Sequence, residues 1–164
     1  MNPSAASHHP FSADPYVAMH EHLILIHRGI GGAFADVLAC NGSDVAGLVA
    51  AGAAAAGFLL GHHDAESLVL FPALRKSGIL RSSDVGFLEG LDREHVALHE
   101  IADRLVAETR SPHPRAFEMI TLAKEIATAF GLHTPGEEKG LAPERLRTMI
   151  SPDDLADLAP PQWR

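Results

Sequence analysis

The chain has 164 residues, one cysteine and a formal net charge of -8 at pH 7 with histidine counted as neutral. This length suits one domain with a sizeable core, and the negative charge disfavours nucleic acid or an anionic membrane surface as a partner. A single cysteine cannot form an internal disulfide, and no secretory signal is visible, so we expect a cytoplasmic protein. Eleven histidines against one tyrosine and one tryptophan indicate metal or proton chemistry.

Capping residues and helical spacing of apolar residues predict four long helices. In chain order they cover about 15–39, 44–76, 84–109, and 115 onward into the stretch 131–140. The breaks between them are short and read CNGS, KSGILRSSD and RSPHP. Because short connections make neighbouring helices antiparallel, the fold class predicted is all-α, an up-down four-helix bundle.

Two flanking segments surround the predicted bundle, which we place at residues 14–150. Residues 1–13 are rich in proline, serine and alanine without periodicity, and we predict a flexible lead-in. Residues 151–164 begin with SPDDLADL, which predicts a short extra C-terminal helix followed by a tail. The most apolar segment, residues 45–61, is at the lower limit of a membrane span, and we interpret it as a buried helix.

Pairs of ligand-type side chains recur at helical spacing. His62 and Glu66 lie four residues apart in the second predicted helix, and His95 and His99 do so in the third. Each pair leaves the same face of its helix one turn apart. Taken alone, His62 and Glu66 are most often a surface pair, and the second pair is an even choice between packing and binding.

Single histidines in the other two helices complete the pattern. His27 lies within the apolar run LILIHRGI, and His133 ends the run IATAFGLH. A buried histidine needs a hydrogen-bond acceptor or a metal, although one alone is most often a satisfied core residue. Their positions along four antiparallel helices bring all four sets into one layer of the bundle.

The ordered set of five histidines and two carboxylates resembles the hemerythrin-like domain, also called the HHE cation-binding domain, over roughly residues 15–150. The flanking stretches HHDAESLVLFPALRKSG and REHVALHEIADRL are similar to the second and third helices of that family. The resemblance implies a non-haem di-iron centre, oxo- or hydroxo-bridged when oxidised. It implies that His95, His99 and His133 bind one iron, that His27 and His62 bind the other, and that Glu66 and Glu138 bridge them.

The chemistry of these ligand types agrees with iron. Imidazole suits divalent iron, and a carboxylate can span two metals. Structural zinc sites usually contain cysteine, and the Glu-x-x-His motifs of ferritin-like centres are missing from the chain.

The stretch GLHTPGEEKG is an oddity within the fourth helix, because Pro135-Gly136 should damage a helix interior by ~3 kcal/mol or more. His133 and Glu138 are five residues apart, which separates them by about 140° in a regular helix. We therefore predict a widened or broken turn that brings Glu138 to the metals. Glu137, at the regular spacing of four, is the alternative ligand if the helix is not distorted.

Other polar residues receive lesser roles. His20, two turns before His27, is a candidate for an access channel, and packing is the simpler interpretation. His63 should face away from His62 or support the ligands from behind, and Asp64 and Glu94 could orient ligand imidazoles. Histidines in predicted loops are interpreted as solvated: His8, His9 and His113.

Three functions fit the sequence. The first is a di-iron protein that binds dioxygen, peroxide or nitric oxide for carriage, storage or sensing. The second is a di-iron enzyme with catalase-like, peroxidase-like or small-molecule oxygenase activity. The third is a metal-binding or interaction module without a redox role. The oligomeric state and any organic substrate are left open by the sequence.

Overall fold

A computed structural model describes residues 12–77 and 79–158, and the regular structure in these ranges is entirely helical. The helices are α1 (Pro15–Ala39), α2 (Val45–Ala65), a π-helical turn (Glu66–Leu70), α3 (Phe71–Lys76), α4 (Ser82–Thr109), α5 (Ala116–Gly140), α6 (Pro143–Leu146) and α7 (Pro152–Leu158). The predicted all-helical fold class is confirmed. Most of the predicted lead-in, with His8 and His9, and the end of the predicted tail lie outside the described residues.

Side-chain caps start the first two helices where the sequence predicts them. The Asp14 carboxylate accepts from the backbone N–H of Tyr16 at 3.0 Å, ahead of a proline at the first helical position. Asp44 accepts from the backbone N–H of Gly47 at 2.9 Å. These bonds satisfy N–H groups that have no partner within the helix.

The four long helices form a closed ring of neighbours. Helix α1 packs against α2, α2 against α4, α4 against α5, and α5 against α1. This arrangement is that of a helical bundle, while the up-down order of the helices stays a prediction from the short connections.

A polar layer separates two apolar clusters in the interior. One cluster contains Ile30 and Leu98, and the other contains Leu23 and Leu91 together with residues of α3, α6 and α7. On α1, His27 lies between Leu23 and Ile30. On α4, His95 lies between Leu91 and Leu98 at the same spacing. The alternation of apolar and polar turns therefore places the histidines of different helices at one level of the bundle.

Two helical stretches, Pro15–Ala39 and Val45–Lys76, are long and apolar enough to cross a membrane by length and composition. Core helices of water-soluble bundles share this property. Each stretch carries members of the buried polar layer, such as His27 and His62.

The predicted break at Pro135-Gly136 is wrong, because α5 continues through both residues to Gly140. Pro135 and Gly136 are exposed, and so is Gly131, whose carbonyl loses its α-helical partner at the proline. A carbonyl on the solvent side can bind water instead. The helix therefore tolerates a proline that would terminate it on the buried face.

An irregular turn does occur, but in another helix. Between α2 and α3 the backbone widens into the π-helical turn, closed by a bond from the N–H of Phe71 to the carbonyl of Glu66. Pro72 follows and cannot donate to the carbonyl of Leu68, so an α-helical turn here would already lack one hydrogen bond. Such turns are frequent at functional sites, and this one begins at a predicted ligand.

Candidate metal centre

Four helices contribute buried imidazole and carboxylate groups to the polar layer. The buried members are His27 from α1, His62 and His63 from α2, Glu66 from the π-helical turn, His95 from α4, and His133 and Glu137 from α5. Pairs four residues apart, such as His133 and Glu137, share one face of their helix. The four helices therefore bring these side chains together at one layer, as the sequence predicted.

The ligand-type atoms form two groups, each with its members within 4.8 Å of one another. We call them set A and set B. Set A consists of His27, His62, Glu66 and Glu137, and set B consists of His63, His95 and His133. Either group contains enough donors for a metal ion.

Both carboxylates belong to set A and also approach imidazoles of set B. Glu137 Oε2 is 3.2 Å from His27 Nε2 and 3.0 Å from His133 Nε2. Glu66 Oε2 is 3.4 Å from His62 Nε2 and 3.6 Å from His95 Nε2. Each carboxylate thus approaches an imidazole of set A and an imidazole of set B, which is the position required of a group that bridges two metals.

Three of the imidazoles are held from behind by polar partners. His27 Nδ1 donates to Glu138 Oε1 at 2.9 Å, and His133 Nδ1 donates to Glu94 Oε2 at 2.7 Å. Because an ionised carboxylate only accepts, the neutral form of each ring carries its proton on Nδ1, and this form leaves the Nε2 lone pair free to bind a metal.

The third such contact joins His95 Nδ1 to the Ser67 hydroxyl at 2.9 Å. The hydroxyl can accept from Nδ1–H, which again leaves Nε2 free for the interior. Outer hydrogen bonds of this kind are the usual way in which proteins orient metal-binding histidines. The sequence indicated Glu94 in such a role and missed Ser67, which lies one residue after Glu66 on the π-helical turn.

Nε2 of His27 and Nε2 of His62 lie 3.0 Å apart, within hydrogen-bond distance, but other atoms of the layer lack hydrogen bonds of acceptable geometry. Among the described residues these are Nε2 of His95, His99 and His133, both ring nitrogens of His63, and both carboxylate oxygens of Glu66 and Glu137. Burying such groups without partners is unfavourable by roughly 1–3 kcal/mol each. A cation satisfies several of them at once, so the donor set fits a metal.

Burial keeps three of the imidazoles neutral. Desolvation, reinforced by the neighbouring His27, lowers the pKa of His62 to about 3, and desolvation lowers the pKa of His95 to about 4. Burial, followed by the nearby His95, also depresses the pKa of His63. Neutral imidazole is the form that binds metals, so these rings have no proton to release when a cation arrives near neutral pH.

The pKa values of the two carboxylates are shifted in opposite directions. Burial, followed by repulsion from Glu137, holds the pKa of Glu66 well above its ordinary value. Burial also acts to raise the pKa of Glu137, but contacts with His133 and His27 outweigh it and leave the pKa depressed. Burial lowers the pKa of His133, yet Glu137 and then Glu94 raise it overall. Without a cation, the layer therefore favours the neutral form of Glu66, the ionised form of Glu137 and a proton on His133.

The structure places Glu137, and not Glu138, among the converging groups. The side chain of Glu137 is fully buried, whereas that of Glu138 is 30% exposed. The reason is the regular course of α5: four residues from His133 return to the same face, and five do not. The expected role of Glu138 as a bridging group depended on a break that the helix does not have.

The predicted position of His63 also changes. Its side chain is fully buried in the layer, and its ring stacks on His95 with centroids 3.9 Å apart. His99 is half-buried and lies outside set B, with its ring parallel to that of His63 at 5.4 Å. His63 thus lies between the two histidines that were expected to act as a pair.

The remaining candidates lie around the layer. His20 Nε2 is 3.0 Å from the backbone carbonyl of Glu138, and the ring lines a pocket that also reaches His62 and Glu66. This position is compatible with the access channel expected from the sequence. Asp64 and His113 are exposed.

A helical domain whose buried layer gathers imidazoles and carboxylates into two compact groups is a cation-binding domain. The chain matches the hemerythrin HHE cation-binding domain over residues 18–144, and it belongs to that family. Sets A and B lie within the matched range. No curated protein and no solved structure matches the chain significantly.

Proposed function

We propose that the protein is a non-haem di-iron protein that binds dioxygen, peroxide or nitric oxide. The observation that carries the proposal is the position of Glu66 and Glu137, each between an imidazole of set A and an imidazole of set B. A single metal needs no carboxylate between two sets of ligands. Two metals a few ångströms apart do.

Set A would hold one iron through His27 and His62, and set B would hold the other through His95 and His133. Glu66 and Glu137 would serve both. One imidazole of the stacked pair His63 and His99 would be the third imidazole ligand of that second iron. These two residues are named together because the spacing from His95 favours His99, whereas the compact group in the structure contains His63.

Iron is the metal that the donor set favours. Neutral imidazoles with two carboxylates suit divalent iron, and cysteine, the common ligand of structural zinc, is missing from both sets. Once bound, the metals would supply reversible electron transfer and positions for a small diatomic or peroxide ligand. With two carboxylates for two dications, the centre carries net positive charge, which favours the reduced pair.

Set A has two imidazoles and set B has three, so the iron at set A would have fewer protein ligands when the carboxylates are shared. His62 and Glu66 line a pocket whose other walls include residues of α1, α6 and α7, so there is space for a small molecule beside this set. The side chains behind the rings, Glu138 and Glu94, would hold the protons on Nδ1 and keep Nε2 directed inward.

The test is metal content after anaerobic loading with iron(II) and removal of the excess. We expect two irons per chain in the wild type and in Asp64→Ala, and loss of iron in Glu66→Ala. Asp64 is a matched control because it lies two residues before Glu66 and is exposed. A wild-type chain that retains fewer than two irons, or a Glu66→Ala variant that retains both, would overturn the proposal.

Exposure of the loaded protein to air and then to peroxide separates the roles. A visible spectrum that changes reversibly with dioxygen indicates a carrier, and rapid gas evolution from peroxide indicates a catalase-like enzyme. A spectrum that responds to neither argues against dioxygen and peroxide as ligands and leaves nitric oxide to be tested in the same way.

A further inference from the structure

A pocket beside set A is larger and more apolar than a diatomic ligand requires. It has a volume of about 280 Å³ and lies among α1, the π-helical turn, α6 and α7. Its walls include Leu23, Leu70, Leu141 and Leu146, which are buried members of one apolar cluster. These walls are part of the core, so the pocket is a fixed feature of the fold.

The size of the pocket sets the size of its occupant. A cavity of ~150 Å³ lined by apolar side chains takes up benzene, and one water molecule needs only ~30 Å³. A pocket of about 280 Å³ therefore has room for a substituted aromatic ring or an aliphatic molecule of similar size. Carriage of a diatomic gas would not need this volume.

The chemistry of the walls sets the charge of the occupant. Among the described residues, no lysine or arginine lines the pocket, so these walls offer an anionic head group no cationic side chain of that kind. One lining residue, Glu66, is 4% exposed, and both its carboxylate oxygens lack hydrogen bonds. A hydroxyl on the occupant could form a hydrogen bond with this carboxyl group, whereas a carboxylate would be buried without a cationic partner among the described lining residues.

We propose that this pocket binds a small, uncharged and largely apolar organic molecule, of the size of a substituted benzene ring, against His62 and Glu66. The proposal deepens the proposed function, because it places an organic ligand next to the metal-binding side chains. The binding itself requires only the pocket. It can therefore be measured with or without metal.

The experiment uses ¹⁹F NMR titrations of the full chain with 4-fluorotoluene, 4-fluorophenol and 4-fluorobenzoate. The pocket is narrowed by Val69→Trp, because Val69 lines the pocket and is 51% exposed, so a larger side chain can be accommodated. Leu68→Trp is the matched control: Leu68 is on the same turn, is 71% exposed and does not line the pocket.

We expect the toluene and phenol probes to bind saturably to the metal-free wild type and to Leu68→Trp, and Val69→Trp to weaken binding by at least about tenfold. The benzoate should bind the metal-free chain at least about tenfold more weakly than the phenol, because its charge would be desolvated against described walls that include no lysine or arginine. Absence of saturable binding, equal weakening by both tryptophan variants, or benzoate binding as tight as that of the phenol would each overturn the proposal.

Titrations repeated on zinc-loaded protein, which is diamagnetic, separate this proposal from the proposed function. If the chain takes up no metal but binds the toluene probe, the pocket proposal is supported and the di-iron function is overturned. If the chain takes up two metals but binds neither neutral probe, the metal centre is supported and the pocket proposal is overturned.

Discussion

Glu138 lies behind His27, with its Oε1 2.9 Å from the Nδ1 of the ring, while the opposite nitrogen of the ring faces the buried layer. The neighbouring residue Glu137 approaches that opposite nitrogen at 3.2 Å. Two consecutive glutamates thus contact the two nitrogens of one imidazole. One orients the ring, and the other lies beside the nitrogen that would bind a metal.

The first prediction compares these two glutamates. Glu137→Gln should lose most of the iron, because an amide does not supply the charge and the two equivalent oxygens that span sets A and B. Glu138→Gln should retain two irons per chain with affinity reduced by no more than about tenfold, since the amide oxygen still accepts from His27 Nδ1. Metal analysis after dialysis against a chelator measures both. Iron loss in Glu138→Gln alone would return the bridging role to Glu138.

The second prediction concerns Glu94, whose carboxylate accepts from His133 Nδ1 at 2.7 Å. Glu94→Ala should weaken iron binding by roughly 10–100-fold, because the ring loses the partner that fixes its tautomer and orientation. Glu89→Ala is the control, since Glu89 is an exposed residue of the same helix. Competition with a chelator of known affinity gives the two constants. Equal affinities in the two variants would show that Glu94 does not support the site.

The third prediction decides between His63 and His99. Their rings are parallel at 5.4 Å, and both have a buried nitrogen without a hydrogen-bond partner. Alanine replacement of the residue that binds iron should reduce the content to about one iron per chain, whereas replacement of the other should leave two. Full iron content in both single variants would show that neither ring is needed to complete set B.

The fourth prediction is a pH dependence of the metal-free protein. The folded pKa values of His62 and His95 are about 3 and about 4, whereas an unfolded histidine titrates near 6.5. Between pH 6.5 and 4 the unfolded chain therefore binds more protons at these residues. The free energy of unfolding falls with falling pH, by up to about 1.4 kcal/mol per pH unit for each histidine. The raised pKa values of His133 and Glu66 act in the opposite direction and reduce the total slope, whereas the depressed pKa of His63 adds to it.

Urea unfolding at several pH values tests this slope. His95→Leu should make it shallower, because the folded and unfolded states of the variant no longer differ in protonation at that position. His113→Leu, a change in an exposed turn, should leave the slope of the wild type. A slope that is the same in all three proteins would contradict the assignment of neutral, buried imidazoles.

The main features of the fold follow from local signals in the sequence. Asp14 and Asp44 cap the first two helices within one residue of the predicted starts, and apolar spacing locates the long helices to within a few residues. These signals act within one or two helical turns, so they can be recognised without knowledge of the tertiary structure.

The features that sequence analysis missed depend on contacts between helices. His63 follows His62 by one residue and was expected to face away, yet packing against His95 from another helix places it within the layer. Ser67 carries no sequence signal for its contact with His95, which arises where the π-helical turn meets α4. In both cases the deciding partner is distant in sequence.

The fifth prediction concerns Pro135, which the sequence suggested as a device for shaping the metal site. In α5 the proline is exposed within a continuous helix, so its removal should leave the site intact. Pro135→Ala restores an N–H donor for the carbonyl of Gly131. The full difference between alanine and proline in a helix is ~3 kcal/mol, reduced by the ~0.4–1 kcal/mol by which proline restrains the unfolded chain.

A gain of about 2–2.5 kcal/mol in the metal-free protein, or roughly 4–10 degrees in Tm, is therefore expected from Pro135→Ala. Gly136→Ala is a useful companion, because a Cβ at that position meets no atom within 4 Å, and it should add about 0.5–1 kcal/mol. Both variants should retain two irons per chain. If Pro135→Ala lost iron while Gly136→Ala retained it, the proline would be acting on the position of Glu137 or His133, and an undistorted α5 would no longer explain the site.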